Sequence, residues 1–152
     1  MDLLIKTPTA DLDLHECGVL VVSCLDFRFR GPDQQFAHQA LDTMHFDHVM
    51  FPGGAKSFAT ASNARYQLEE AIKKVGIGLH KIKRILVMTH WDCGAYGGSK
   101  SFASPEAEEA AYLADLQAAR TRLAEAFPGI EILVAYSRRT GSDDLSYRFL
   151  ES

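Results

Sequence analysis

The chain has 152 residues, of which 47% are hydrophobic and 24% charged, and a formal net charge of −4. This length and composition predict one globular domain, residues 1–152, with a buried core. They argue against a nucleic-acid partner, which calls for a basic surface, and against a membrane span, which needs an apolar run of ~20 residues. The opening Met1-Asp2-Leu3-Leu4-Ile5-Lys6 is too short and too acidic downstream for a secretory signal, so the expected location is cytoplasmic.

The chain reads as alternating strands and helices. Gly18 to Ser23 is a continuous apolar run, the pattern of a strand buried on both faces. Gly31-Pro32 opens a helix with proline in the first turn, and Phe36, Ala40, Leu41 and Met44 give it an apolar stripe. His48-Val49-Met50-Phe51 is a second strand, ended by Pro52-Gly53-Gly54. A helix from about Ser57 to Val75 follows, with Leu68, Ala71, Ile72 and Val75 at helical spacing and Gly76 and Gly78 as stops. Lys83 to Thr89 is the third strand. A polar loop then leads to a helix capped by Ser104, with Glu106, Glu108 and Glu109 at its positive end and Leu116, Ala119 and Leu123 on its buried face. Pro128-Gly129 ends it. Ile130 to Tyr136 is the fourth strand, and Arg139 to Ser142 turns into a short last strand, Leu145 to Leu150.

Strand-helix alternation implies an α/β fold with a mainly parallel sheet flanked by helices. In such sheets ligands bind beyond the carboxyl ends of the strands, where the strand order reverses. With the order 2-1-3-4, strands one and three are neighbours. Cys24 then ends strand one, and His90-Trp91-Asp92-Cys93-Gly94 follows strand three at the same edge. A cysteine at a strand end is more often simply buried, and His-x-x-Cys alone says little. Together, however, Cys24, His90 and Cys93 make a soft three-ligand set suited to zinc, with a fourth position open. Three cysteines are too few, and odd in number, for a disulfide framework.

Asp26 and Arg28 alternate with Cys24. On an extended backbone all three side chains point the same way, which places a carboxylate and a guanidinium beside the open metal position. Asp26 either orients a group there or closes the site itself, and Asp92 is expected to orient the loop or a ligand rather than bind metal.

Cys-x-Asp-x-Arg followed by His-x-Asp-Cys-Gly resembles the signature of the β-class carbonic anhydrases, and the order of elements from Gly18 onward is similar. The resemblance implies a sheet of order 2-1-3-4 with an antiparallel edge strand. It implies one zinc per chain on Cys24, His90 and Cys93, and a catalytic dyad of Asp26 and Arg28. The implied reaction is reversible hydration of carbon dioxide to bicarbonate by attack of zinc-bound hydroxide. It also implies a homodimer or higher homo-oligomer with active sites at the interface. Three departures stand out. Phe27 replaces a small hydroxyl residue, Phe51-Pro52-Gly53-Gly54 replaces an Arg-Asn-Ala-Gly segment, and the N-terminal helices are nearly absent. Relatives with the same ligand set hydrolyse carbonyl sulfide or carbon disulfide. A non-catalytic zinc protein is the remaining alternative, and a thiol redox role is disfavoured because the close pair is not Cys-x-x-Cys.

Other residues carry weaker expectations. The Gly53-Gly54 turn offers N–H groups for a small anion, with Lys56 adding charge, but lacks the spacing of a nucleotide loop. His38, His45 and His48 read as solvated or core histidines. His15 is a candidate proton shuttle, and Cys17 a structural thiol. Trp91, Phe27 and Tyr96 are expected to make the pocket walls apolar.

Overall fold

The computed structural model describes residues 12–151. Its sheet has five strands in the order β2-β1-β3-β4-β5: β1 (Val19–Ser23), β2 (Asp47–Met50), β3 (Arg84–His90), β4 (Glu131–Arg139) and β5 (Leu145–Phe149). The first three neighbouring pairs are parallel, and β5 runs antiparallel to β4. The expected order and antiparallel edge strand are both present. β1 and β3 are direct neighbours, with Val22 opposite Val87, so their carboxyl ends share one edge of the sheet.

The period-2 alternation of strand side chains divides the core between two faces. Leu20, Val22, Ile85, Val87 and Val134 point to one face, where they meet Phe58 of α2 (Lys56–Ala59) and Tyr112, Leu116, Ala119 and Leu123 of α4 (Pro105–Ala126). Val19, Val21, Leu86, Met88 and Ala135 point to the other, against Ala37 and Leu41 of α1 (Arg30–Leu41). β1 is buried along its whole length, as its unbroken apolar run requires. Among the described residues, no helix is long and apolar enough to cross a membrane.

Two helices differ from the sequence pattern. The span Ser57 to Val75 is not one helix. Thr60 is extended, and Ser62 accepts a hydrogen bond from the Arg65 N–H and starts α3 (Asn63–Ala71) afresh. A hydroxyl that caps a new helix outcompetes continuation of the old one. A π-type turn over Ile72–Ile77 then rotates the stripe, so that Ile72 and Gly76 are buried while Val75 is 43% exposed. In α1 the inward residues are Asp33, Ala37 and Leu41, whereas Ala40 and Met44 face solvent. The helix begins at Arg30, and its stripe is set by a buried carboxylate that an apolar count overlooks.

Gly54, in the turn after β2, has φ +53, and a Cβ there would overlap the Met88 carbonyl oxygen of β3. Left-handed strain of ~1–2 kcal/mol and the overlap combine at this position. Gly54→Ala is therefore expected to lower stability by more than about 2 kcal/mol, read from denaturant midpoints. Asp33 yields a second expectation. It accepts a hydrogen bond from the Tyr147 hydroxyl at 2.7 Å, yet burial pushes its pKa up to about 6. The folded state thus holds this proton more tightly than the unfolded chain. The stabilisation is complete below the unfolded value and is lost as pH rises through about 6. Thermal unfolding of wild type and Asp33→Asn should show wild type losing ground to the variant as pH rises through that window.

Candidate metal centre

At the shared edge of β1 and β3, Cys24, His90 and Cys93 meet with their donor atoms within 4.8 Å of one another, all three residues buried. The Cys24 and Cys93 sulfurs are 3.7 Å apart. Two sulfurs bound at ~2.3 Å to one tetrahedral ion would stand about 3.8 Å apart. His90 Nδ1 lies 2.7 Å from the Trp91 carbonyl oxygen, which only accepts, so Nδ1 carries the ring proton. In the neutral ring His90 Nε2 is then a lone pair, buried and without a hydrogen-bond partner. A buried orphan acceptor facing two sulfurs fits a metal ion of the zinc type. The imidazole is fixed by stacking on Phe29, with ring centroids 3.8 Å apart.

The protons of the three donors are interdependent. The Cys93 thiol stabilises a thiolate on Cys24 against the cost of burial, with help from His90 and from the Asp26 and Gly53 N–H groups, and holds the Cys24 pKa far below the usual thiol value. Cys93 is pushed up by its bond to Cys24, by burial and by the Cys24 charge. Burial works against protonation of His90, but the Cys24 thiolate and the Trp91 carbonyl outweigh it and raise its pKa. Two anionic sulfurs this close need a cation between them, and a bound metal takes the place of the shared protons.

The loop carrying Cys93 is anchored from below by Glu108, which is 2% exposed. Its Oε1 accepts from the Asp92 N–H at 2.8 Å, the Ser99 hydroxyl at 2.9 Å and the Tyr112 hydroxyl at 2.7 Å. The Tyr112 oxygen in turn accepts from the Cys93 N–H at 3.1 Å. Sequence reading placed Glu108 only at the positive end of α4. The available signal was its spacing of four from Tyr112, which puts both on one helix face. The Gly53-Gly54 turn also supports the centre. Its N–H groups are not free for an anion: Gly53 donates to Cys24 Sγ at 3.3 Å and Gly54 to the Phe51 carbonyl at 2.9 Å.

Asp26 and Arg28 sit at the mouth of the site. The segment after Cys24 is a turn and not an extended strand, with Phe29 N–H donating to the Asp26 carbonyl. Arg28 therefore folds back, its Nε and Nη2 gripping both Asp26 oxygens at 2.7–3.1 Å. This contact holds Asp26 below the usual carboxylate range. Arg28 Nη1 also reaches Asp92 Oδ2 at 3.1 Å, and Asp92 Oδ1 accepts from the Ser99 N–H. Asp92 thus orients the ligand loop, as expected. Asp26 Oδ2 lies 4.0 Å from His90 Nε2.

A cleft of about 500 Å³ opens here, lined by Cys24, Leu25, Asp26, Phe27, Arg28, Pro52, Gly94 and Ala95. Phe27 lines it as expected, but Trp91 and Tyr96 do not. Trp91 lies under Arg139, and the Tyr96 hydroxyl donates to Asp115. Lys56 is turned away as well, donating to the Ala95 carbonyl over the Tyr96 ring. His15 lines a cavity with Asp47 and His80 at the opposite end of the strands, too far round to shuttle protons for this centre. His38 and His48 bond to the Thr43 carbonyl and the Ser23 hydroxyl, and no metal-binding group forms among His38, His45 and His48.

A protein-family model described as "Putative carbonic anhydrase" matches residues 14–142. The chain belongs to that family. An uncharacterized protein of Rickettsia conorii is 32% identical over 127 residues, covering 78% of this chain and 66% of its own length. An uncharacterized protein of Rickettsia bellii is 28% identical over 124 residues, covering 78% and 75%. The chain thus spans about two thirds to three quarters of the relatives it matches. Among solved structures, the β-carbonic anhydrase isoform I of Trichomonas vaginalis superposes with a TM-score of 0.50 at 18% identity, covering 95% of this chain and 87% of that one. This likeness is one of fold.

The Glu108 anchor generates a prediction. Glu108→Ala strands three donors, of which the buried Tyr112 hydroxyl costs about 1–3 kcal/mol when unpaired and the half-buried Asp92 N–H and Ser99 hydroxyl cost less. It should also weaken metal binding about 10–100-fold, the usual effect of losing an outer-shell support. Competition with a metallochromic chelator reads the affinity, and Glu108→Gln should retain more of it than alanine.

Proposed function

We propose that the chain is a zinc-dependent carbonic anhydrase that interconverts carbon dioxide and bicarbonate, with Cys24, His90 and Cys93 holding the metal and Asp26 and Arg28 acting on the substrate side. The observation that carries this reading is the placement of an ionised carboxylate, clamped through both oxygens by Arg28, 4.0 Å from the unpartnered His90 Nε2. When bound, zinc supplies a Lewis acid that lowers the pKa of water to about 7.

Asp26 carries no proton at neutral pH and can only accept. It therefore orients an O–H group beside it, directing that group's hydrogen to the carboxylate and leaving its lone pairs for the substrate. Arg28 occupies the other lone pairs of Asp26 and so favours an open metal position over one closed by the carboxylate. Leu25, Phe27, Pro52 and Ala95 give the cleft apolar walls, which favour a small uncharged molecule over a charged one. Phe27 is 86% and Leu25 55% exposed at this mouth, and the dimer that the family resemblance implies would cover such apolar side chains.

Freshly purified protein should carry zinc at this centre and hydrate carbon dioxide in a stopped-flow assay. Asp26→Asn should keep its fold and metal while losing at least about a hundredfold in activity. Absence of metal from the Cys24 centre, or full activity in Asp26→Asn, would sink the reading. Sulfide release from carbonyl sulfide or carbon disulfide, faster than carbon dioxide hydration on the same preparation, would reassign the substrate. Retained metal without any turnover would leave a non-catalytic zinc protein.

A further inference from the structure

The opposite end of the sheet carries a second group of metal-type donors: Cys17, Asp47 and His80, whose ligand atoms also lie within 4.8 Å of one another. They come from three separate elements. Cys17 leads into β1, Asp47 is the first residue of β2, and His80 lies in the loop before β3. The backbone holds them in place. The Cys17 and Gly18 N–H groups both donate to the His80 carbonyl, at 3.2 and 3.3 Å, and the Lys83 and Arg84 N–H groups donate to the Gly18 carbonyl. His80 Nδ1 lies 2.9 and 2.8 Å from the two Asp47 oxygens. All three residues are half-buried, so an ion can reach them from solvent. They face a cavity of about 250 Å³ that His15, Glu16 and His45 also line, so further imidazole and carboxylate groups are at hand to complete a coordination shell.

We infer that this cluster is a second binding site for a divalent cation of the zinc class, distinct from the Cys24 centre. One thiol, one imidazole and one carboxylate form a donor set that zinc accepts, whereas calcium or magnesium would call for oxygen alone. Donors around one tetrahedral ion stand roughly 3.3–3.8 Å apart. The Asp47–His80 pair opens slightly to reach that spacing, and Cys17 Sγ stands within 4.8 Å of both. The ion takes the place of the proton between His80 Nδ1 and Asp47, which moves to Nε2 of the neutral imidazole, and of the Cys17 thiol proton, which is released to solvent. A nucleophilic Cys-His-Asp arrangement fits less well, because the Cys17 thiol donates to the Val19 carbonyl at 3.4 Å and has no hydrogen bond to His80. Such a cation ties the amino-terminal ends of β1, β2 and β3 together, at the edge of the sheet remote from the proposed chemistry.

The test is a difference in stoichiometry, which does not depend on whether the Cys24 centre is filled. The metal-free full chain, Cys17→Ala and His80→Gln are each titrated with Co²⁺, followed by the thiolate-to-metal absorption bands and by metal analysis after gel filtration. Far-UV circular dichroism identifies the variants that keep the wild-type fold, and wild-type protein supplies a readout free of any substitution. Wild type is expected to bind one equivalent more than either variant. Alkylation of Cys17, followed peptide by peptide by mass spectrometry, is expected to slow at least about tenfold when Zn²⁺ is added to the wild-type chain. Equal stoichiometry in wild type and a folded variant, or a Cys17 alkylation rate unchanged by Zn²⁺, overturns the inference.

Discussion

Two sulfur atoms held 3.7 Å apart in a buried setting constrain everything near them. Without a cation they share one proton, because two thiolates at that distance repel strongly in a medium that screens poorly. With a cation they become a ligand pair. The surrounding residues maintain this spacing from both sides. On one side the turn after β2 donates Gly53 N–H to Cys24 and brings Gly54 against the Met88 carbonyl, an approach that only a residue without a Cβ permits. On the other side Glu108 and Tyr112 rise from α4 to fix the Cys93 loop. The long helix thereby serves the site as well as the core.

The charged pair at the mouth is coupled to this centre through Asp92. Arg28 binds Asp26 and Asp92 together and so ties the turn after β1 to the loop after β3. The Arg28 side chain is 44% exposed, and an ion pair so accessible adds little to stability. Its value lies in orientation: a bidentate guanidinium fixes the plane of the carboxylate and keeps it ionised. Phe27, between the two dyad residues, projects into solvent at the cleft mouth and leaves this arrangement undisturbed.

Much of this was legible in the sequence because strand patterns report burial directly. The apolar runs of β1 and β3 placed Cys24 and His90 at strand ends, the alternation of elements implied a mainly parallel sheet, and the family resemblance supplied the order that makes those ends neighbours. Helical stripes were less informative. Val75 reads as core yet is turned outward by a π-type turn, and Met44 lies beyond the end of α1. Aromatic residues misled in the same way. Trp91 and Tyr96 neighbour the ligands in sequence, but a loop reverses direction within a few residues and sends their rings elsewhere.

The sequence by itself singled out Cys24, His90 and Cys93 as candidate donors, Asp26 and Arg28 beside them and the sheet that joins them, since each lies next to a strand whose burial is written in its residues. Only the tertiary structure decided which polar groups serve those donors. Glu108 is 16 residues from Asp92 along the chain, and Asp47 is 33 from His80. The curl of Arg28 back onto Asp26 depends on a turn that no periodicity signals. The same holds for Cys17, a lone thiol in the sequence, which gains chemical company only when three strand ends are brought to one edge. Such pairings are set by packing across elements, and local sequence pattern carries no record of them.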